Sequence, residues 1–234
     1  MEALEAVTQS ADYDRLVFLG DAVDYGPDPA AIVDFLRSEA KTGALLVRGN
    51  HDEAVAVPEE DFDGAWWSEM AVQTLRYSRK HLERQALSML GELPLTRTLD
   101  LGPAGRALLC HGSPSSNLEY IWPDAPNSKL SEQLGGEASR NFDFVLVGHS
   151  HLQFNRLVGR VKLVNPGSVG QPRDGDPRAA YAIFDTGEGA LTFHRVEYPV
   201  AATAAKIRAR GMPLADRLVA VLETGGGSRS SADR

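Results

Sequence analysis

Four short apolar runs, each ending in a polar cluster rich in glycine and histidine, constrain this chain more than any other feature. Leu16-Val17-Phe18-Leu19 runs into Gly20-Asp21, and Ala44 to Val47 leads to Gly49-Asn50-His51-Asp52. Ala107 to Cys110 ends at His111-Gly112, and Phe142 to Val147 ends at Gly148-His149-Ser150-His151. Each run has the length and composition of a buried strand. In an α/β sheet, sites form beyond the carboxyl ends of the strands. The pattern therefore delivers Asp21, Asn50, His111, His149 and His151 to one rim. Imidazoles and a carboxylate brought together in this way are metal ligands before anything else.

The segments between these runs predict the rest of the fold. Met1 to Ser10 is helix-like. Pro29 to Lys41 is a helix, with a proline in its first turn and Gly43 beyond its end. The alternation with the flanking strands is the rhythm of a parallel sheet. Residues 65–93 predict two helices, with Trp66, Trp67, Met70, Leu75, Leu82 and Leu90 read mostly as packing residues. Residues 96–101 and 106–110 predict a hairpin, and 127–139 a helix. Residues 160–164, 179–185 and 190–197 predict an antiparallel sheet on the far side of the fold. Helical pieces follow at 200–210 and 213–223. The expected organisation is one domain over 1–198, helices packed on or beside it over 199–224, and a disordered tail over 225–234.

Composition narrows the function classes. A chain of 234 residues with 43% apolar content can bury one sizeable core. The formal charge of −8, with no basic stripe interleaved with aromatics, argues against a dedicated nucleic-acid surface. An acidic protein still binds phosphate if metal ions supply the positive charge. One cysteine, Cys110, excludes an internal disulfide and suits a reducing compartment. It reads as a core thiol rather than as a thiolate acting beside His111. No run approaches the length of a membrane span, and no basic-then-apolar leader is present, so the expected location is the cytoplasm.

Taken together, Gly20-Asp21, Gly49-Asn50-His51-Asp52, His111-Gly112 and Gly148-His149-Ser150-His151 resemble the signatures of calcineurin-like metallophosphoesterases. The segment Asn165 to Arg173 resembles the bacterial branch containing small phosphodiesterases. The resemblance spans roughly residues 1 to 198. It implies a four-layer α/β/β/α sandwich of two mixed sheets with a dinuclear centre at one edge. It implies hydrolysis of phosphate monoesters or diesters of small molecules by a hydroxide bridging two divalent ions about 3.5–4 Å apart. Manganese, iron, zinc and nickel all suit the nitrogen and oxygen ligands.

Residue by residue, the resemblance implies that Asp21 bridges the metals. Asn50, His111 and His149 complete one shell, and His151 serves the other. His51 would protonate the leaving oxygen, with Asp52 orienting it, and Asn50 would also touch substrate. Arg173 is either a solvated surface arginine or a contact to a phosphate oxygen. Specificity is expected in the loops around 58–67 and 113–127.

The same resemblance implies a first strand ending in Asp-x-His, and no Asp-x-His occurs in the chain. As written, the second metal would keep only Asp21 and His151, so one metal rather than two is a further expectation. Three accounts follow: a start codon placed too far downstream, a true truncation of low activity, or a remnant used for metal or phosphate binding.

Overall fold

A computed structural model describes residues 1–226. Its centre is a five-stranded mixed sheet formed by β3 (Thr96–Asp100), β4 (Arg106–Cys110), β5 (Phe144–Leu146), β7 (Val161–Pro166) and β6 (Gln153–Val158), in that spatial order. The three inner strands β4, β5 and β7 are parallel, with Leu109 opposite Leu146 and Leu146 opposite Val164. Both edges are antiparallel. A parallel pair, β1 (Val17–Phe18) and β2 (Leu45–Leu46), and an antiparallel hairpin, β8 (Ala179–Asp185) and β9 (Ala190–Val196), make up the remaining strands. This is the mixed α/β architecture expected. The second sheet, however, stands as two separate pairs, and among the described residues no strand joins β1 to β8.

The period of two along β4 explains how the layers hold together. Ala107 and Leu109 face Val47, Phe144 and the half-buried Val17, Leu19, Leu45 and Phe184. That cluster mixes residues from all three sheets and forms the interior between the layers. Leu108 and Cys110 point the other way, toward Val145, Leu163 and the apolar stripe of Leu130, Leu134 and Ala138 on α6 (Asn127–Asn141). Fully burying side chains such as Leu109 and Leu163 stabilises the fold by roughly 1.5–3 kcal/mol each. Cys110 is wholly buried, which pushes its thiol up to about 12 and makes it a core residue.

Helices enclose the other side. α2 (Pro29–Lys41), α3 (Asn50–Ala56), α4 (Glu69–Lys80) and α5 (Arg84–Glu92) share a core of Val33, Val55, Leu75, Leu82 and Leu90. α1 (Glu2–Ser10) lays Ala3 and Val7 against Ala179 of β8. α7 (Val200–Ala209) and α8 (Ala215–Thr224) pack Ile207, Leu218 and Leu222 against Tyr77. Buried Asp28 accepts hydrogen bonds at 2.8 Å from Lys206, on α7, and forms a 2.8 Å ion pair with Arg210. These contacts fasten the C-terminal helices to the loop after β1.

Several expectations are corrected. Residues 161–166 do not join 179–185 and 190–196; they form an inner strand of the five-stranded sheet. Val161, Leu163, Val164 and Asn165 are all buried, as a strand covered on both faces requires. Strand β6 was unforeseen, because its apolar alternation is weak. Trp66 is not a packing residue; it is 91% exposed. The tail does not begin at Gly225, whose carbonyl accepts the Gly175 N–H at 2.8 Å. The rest of that expected segment, from 227 on, lies outside the described residues. No helix among the described residues is long and apolar enough to cross a membrane.

The C-terminal helices are predicted to belong to the cooperative unit. Ile207→Ala deletes a side chain that is 2% exposed, which should destabilise the protein by about 2–5 kcal/mol. One denaturant transition with a lowered midpoint is the expected result; an early, separate loss of helix signal would show that α7 and α8 unfold independently.

Candidate metal centre

The strand ends supply the site. β1 and β2 are parallel and deliver Gly20-Asp21 and Gly49-Asn50 side by side. β4 and β5 are parallel and deliver His111 and Gly148-His149 side by side. The two sheets meet where His111 Nδ1 lies 2.6 Å from the Leu19 carbonyl. Glycine is required where the loops cross. Gly20 has φ +94°, and a Cβ there would lie 2.7 Å from His111 Nδ1. A Cβ on Gly49 would overlap the Asp21 carboxylate.

Four candidate ligand atoms converge. His111 Nε2 lies 3.1 Å from Asp21 Oδ2, 3.0 Å from Asn50 Oδ1 and 3.2 Å from His149 Nδ1. The backbone assigns the tautomers. A carbonyl only accepts, so His111 donates from Nδ1 to Leu19, and His149 donates from Nε2 to the Leu118 carbonyl at 3.3 Å. Both rings therefore turn a lone pair toward Asp21 and Asn50, themselves acceptors. Four such groups facing one another at this range need a proton or a metal ion among them. The donor set therefore fits a metal ion, with each imidazole oriented by its outer hydrogen bond as ligands usually are.

The electrostatics agree. Burial alone would raise the Asp21 carboxyl, but His111 and His51 outweigh it and hold it well below the usual carboxylate range. Burial opposes charging of His111 too, yet the Asp21 carboxylate and the Leu19 carbonyl raise its basicity. His149 is driven well below the ordinary histidine range by burial and by His111. Burial and the nearby Arg173 push His151 down to about 3, and its Nδ1 donates to the Gln171 carbonyl at 2.7 Å. Neutral imidazole is the form that binds metals. Asp21, His111 and His149 offer ligand atoms within 4.8 Å of one another. His151 is on the same rim but outside that cluster.

His51 and Asp52 depart from the expected pairing. They are consecutive in the first turn of α3, and adjacent helical residues do not face each other. Asp52 turns inward, where its oxygens accept the N–H groups of Asp21 and Ala22 at 2.8 Å and Gly49 at 2.9 Å. It is a buried brace for the two glycine loops, with no hydrogen bond to His51. The partner of His51 is Asp24, whose Oδ2 lies 2.6 Å from Nδ1. Burial lowers the basicity of His51, but Asp21 and Asp24 prevail and raise it. Tyr25 and Trp67 stand edge-on to the His51 ring, with centroids at 5.1 and 4.8 Å.

Sequence reasoning missed Asp24, Tyr25, Tyr120 and the structural part played by Asn165. The Tyr120 ring stacks on His149 at 3.7 Å, and its hydroxyl lies 3.5 Å from Arg173. Arg173 is half-buried at the rim, with its backbone N–H donating to the His151 carbonyl at 3.4 Å. Asn165 is fully buried and donates to the Gly148 carbonyl and to Ser150 Oγ, wiring the histidine loop to β7. Among the described residues, five of the six non-glycine positions with positive φ are Asp21, Asp24, Tyr25, His149 and His151. Such conformations cost of order 1–3 kcal/mol each and gather at functional sites.

Comparison with known proteins gives a consistent picture. The sequence profile described as the calcineurin-like phosphoesterase superfamily domain matches residues 1–189. An uncharacterized protein of Methanocaldococcus jannaschii is 30% identical over 240 residues, covering 93% of this chain and 92% of the relative. The crystal structure of a metallophosphoesterase from Sphaerobacter thermophilus aligns with a TM-score of 0.76 at 31% identity, over 96% of this chain and 94% of that one. A hypothetical protein from Pyrococcus horikoshii aligns at 0.83 and 21% identity, over 97% and 94%, and shares the fold.

The loop crossing is the sharpest local test of this geometry. Gly49→Ala should lower the melting temperature and abolish tight metal binding, because the methyl group displaces Asp21. Gly170→Ala, whose added Cβ meets nothing within 4 Å, should do neither. Equal behaviour of the two variants in thermal melts and metal titrations would contradict the crossing described.

Proposed function

The chain belongs to the calcineurin-like phosphoesterase superfamily, and from that premise we propose that it is a divalent-metal-dependent hydrolase of small-molecule phosphate monoesters or diesters. The observation that carries this reading is the convergence of Asp21, Asn50, His111 and His149 on one point. These four would hold one cation, and Asp21 with His151 are the chain's own candidates for a second. Manganese, iron, zinc and nickel all match the donors. A metal bound there would supply positive charge to the phosphate and acidify a water molecule.

The chain's own groups do the rest. Arg173 would donate hydrogen bonds to a non-bridging phosphate oxygen, a contact that guanidinium geometry favours. Asn50 borders the same space and would touch substrate beside its ligand role. His51, held through Nδ1 by Asp24, would present a protonated Nε2 to the ester oxygen. As the oxygen of water bonds to phosphorus, giving up a proton to solvent, and the P–O ester bond breaks, the His51 proton would pass to the leaving alkoxide and release it as the alcohol. Asp24, not Asp52, would be the orienting carboxylate. The reading also places the protein in the cytoplasm, consistent with its buried, lone thiol.

Leaving-group dependence tests the acid. His51→Ala should slow alkyl phosphate esters by about 10²–10⁴-fold, and p-nitrophenyl esters, which need little protonation, much less. Asp24→Asn should show the same pattern in weaker form, and Asp52→Asn should instead lower stability. Uniform losses across leaving groups would remove His51 from this role. Tight metal binding without turnover of any phosphate ester would favour a metal- or phosphate-binding protein over an enzyme.

A further inference from the structure

All three tryptophans of the chain, Trp66, Trp67 and Trp122, lie on the two loops that flank the metal centre. Trp67 is held edge-on between His51 at 4.8 Å and Phe62 at 5.8 Å. Its N–H bonds the Gly64 carbonyl, and the loop is pinned below by Arg79, which donates to the carbonyls of Val55 and Ala54 and pairs with Glu59. The preceding residue, Trp66, is therefore displayed from a fixed base, and it is 91% exposed, the highest value among the large apolar side chains described. A tryptophan presents about 150–250 Å² of apolar surface, and nothing in the fold uses it here. On the other flank, Tyr120 stacks on His149, and Trp122 stacks on Tyr120 at 4.8 Å and 6°. Gln133 and Arg156 lock that loop through the carbonyls of Tyr120, Pro123 and Ala125.

From this arrangement we propose that the site takes phosphate esters whose leaving alcohol carries a planar aromatic ring, as a nucleoside does, and that Trp66 is the stacking platform for that ring. The proposal rests on the reading of the centre as a phosphoesterase site. His51 marks the leaving-group side, since it is the proton donor there. Trp67 touches His51, and Trp66 precedes it in the chain, so their Cα atoms are about 3.8 Å apart. A planar ring attached through a sugar or a short linker reaches that distance, and stacking on an indole face tolerates any base. A small alkyl leaving group would leave Trp66 bare.

The test is calorimetric binding of AMP and of ribose 5-phosphate, which differ by the ring alone, to the manganese-loaded full chain, with released phosphate assayed in the same samples. Wild type should bind AMP about tenfold more tightly or better, about 1.4 kcal/mol. In Trp66→Ala the ratio should fall below about twofold with ribose 5-phosphate affinity unchanged, and Trp66→Phe should keep most of the preference. Because Trp66 is exposed, its melting temperature should not change. Equal affinities in wild type, no AMP binding, or a preference that survives Trp66→Ala would each overturn the proposal. So would a Trp66→Ala protein with normal AMP binding and a smaller mass by light scattering, which would assign Trp66 to contacts between copies. Hydrolysis of aryl phosphates with no ring preference would reject the stacking platform and keep the phosphoesterase. Ring-selective binding with no hydrolysis of any phosphate ester would do the reverse.

Discussion

The hydrogen bond from His111 Nδ1 to the Leu19 carbonyl, 2.6 Å long, is the contact on which the site depends. It ties the end of a central strand in one sheet to the end of β1 in the other. It also decides which nitrogen of His111 faces inward. With Nδ1 committed as donor, Nε2 of the neutral ring points its lone pair at Asp21, Asn50 and His149. One bond thus sets the spacing of two layers, the orientation of a ring and the affinity of the space between them for a cation. Removing the Leu19 carbonyl from reach, by any shift of β1, would free the ring to turn and dissolve the cluster.

The loops around this contact are held against their own preferences. Asp21, Asp24, Tyr25, His149 and His151 all sit at positive φ, where a Cβ is disfavoured. They are restrained by buried polar braces that carry no chemistry themselves. Asp52 gathers three N–H groups from the two glycine loops, and Asn165 spans the carbonyl of Gly148 and the hydroxyl of Ser150. Bracing of this kind fixes the two glycine loops and the histidine loop relative to one another.

Much of this was legible in the sequence. Four apolar runs ending in Gly-Asp, Gly-Asn-His-Asp, His-Gly and Gly-His-Ser-His located the strands and the rim, because period and strand polarity are local properties. Asp24 was not legible. It reaches His51 only because the chain after Asp21 turns through two further left-handed residues, which no spacing rule announces. Asp52 was misread for the opposite reason: adjacency in sequence suggested a pair, but in a helix consecutive side chains diverge. Strand β6 was hidden by its polar, edge-strand pattern, with Leu157 62% exposed. Trp66 was grouped with the packing residues of its helical stretch, and only the structure shows it 91% exposed.

The central claim is that the converging acceptors form a metal centre, and direct titration tests it. Metal-stripped protein should bind manganese(II) tightly by calorimetry. His111→Ala should lose that binding while keeping its secondary structure, and His151→Ala should retain it at reduced strength or stoichiometry. Unchanged manganese affinity in His111→Ala, with the fold intact, would contradict the account.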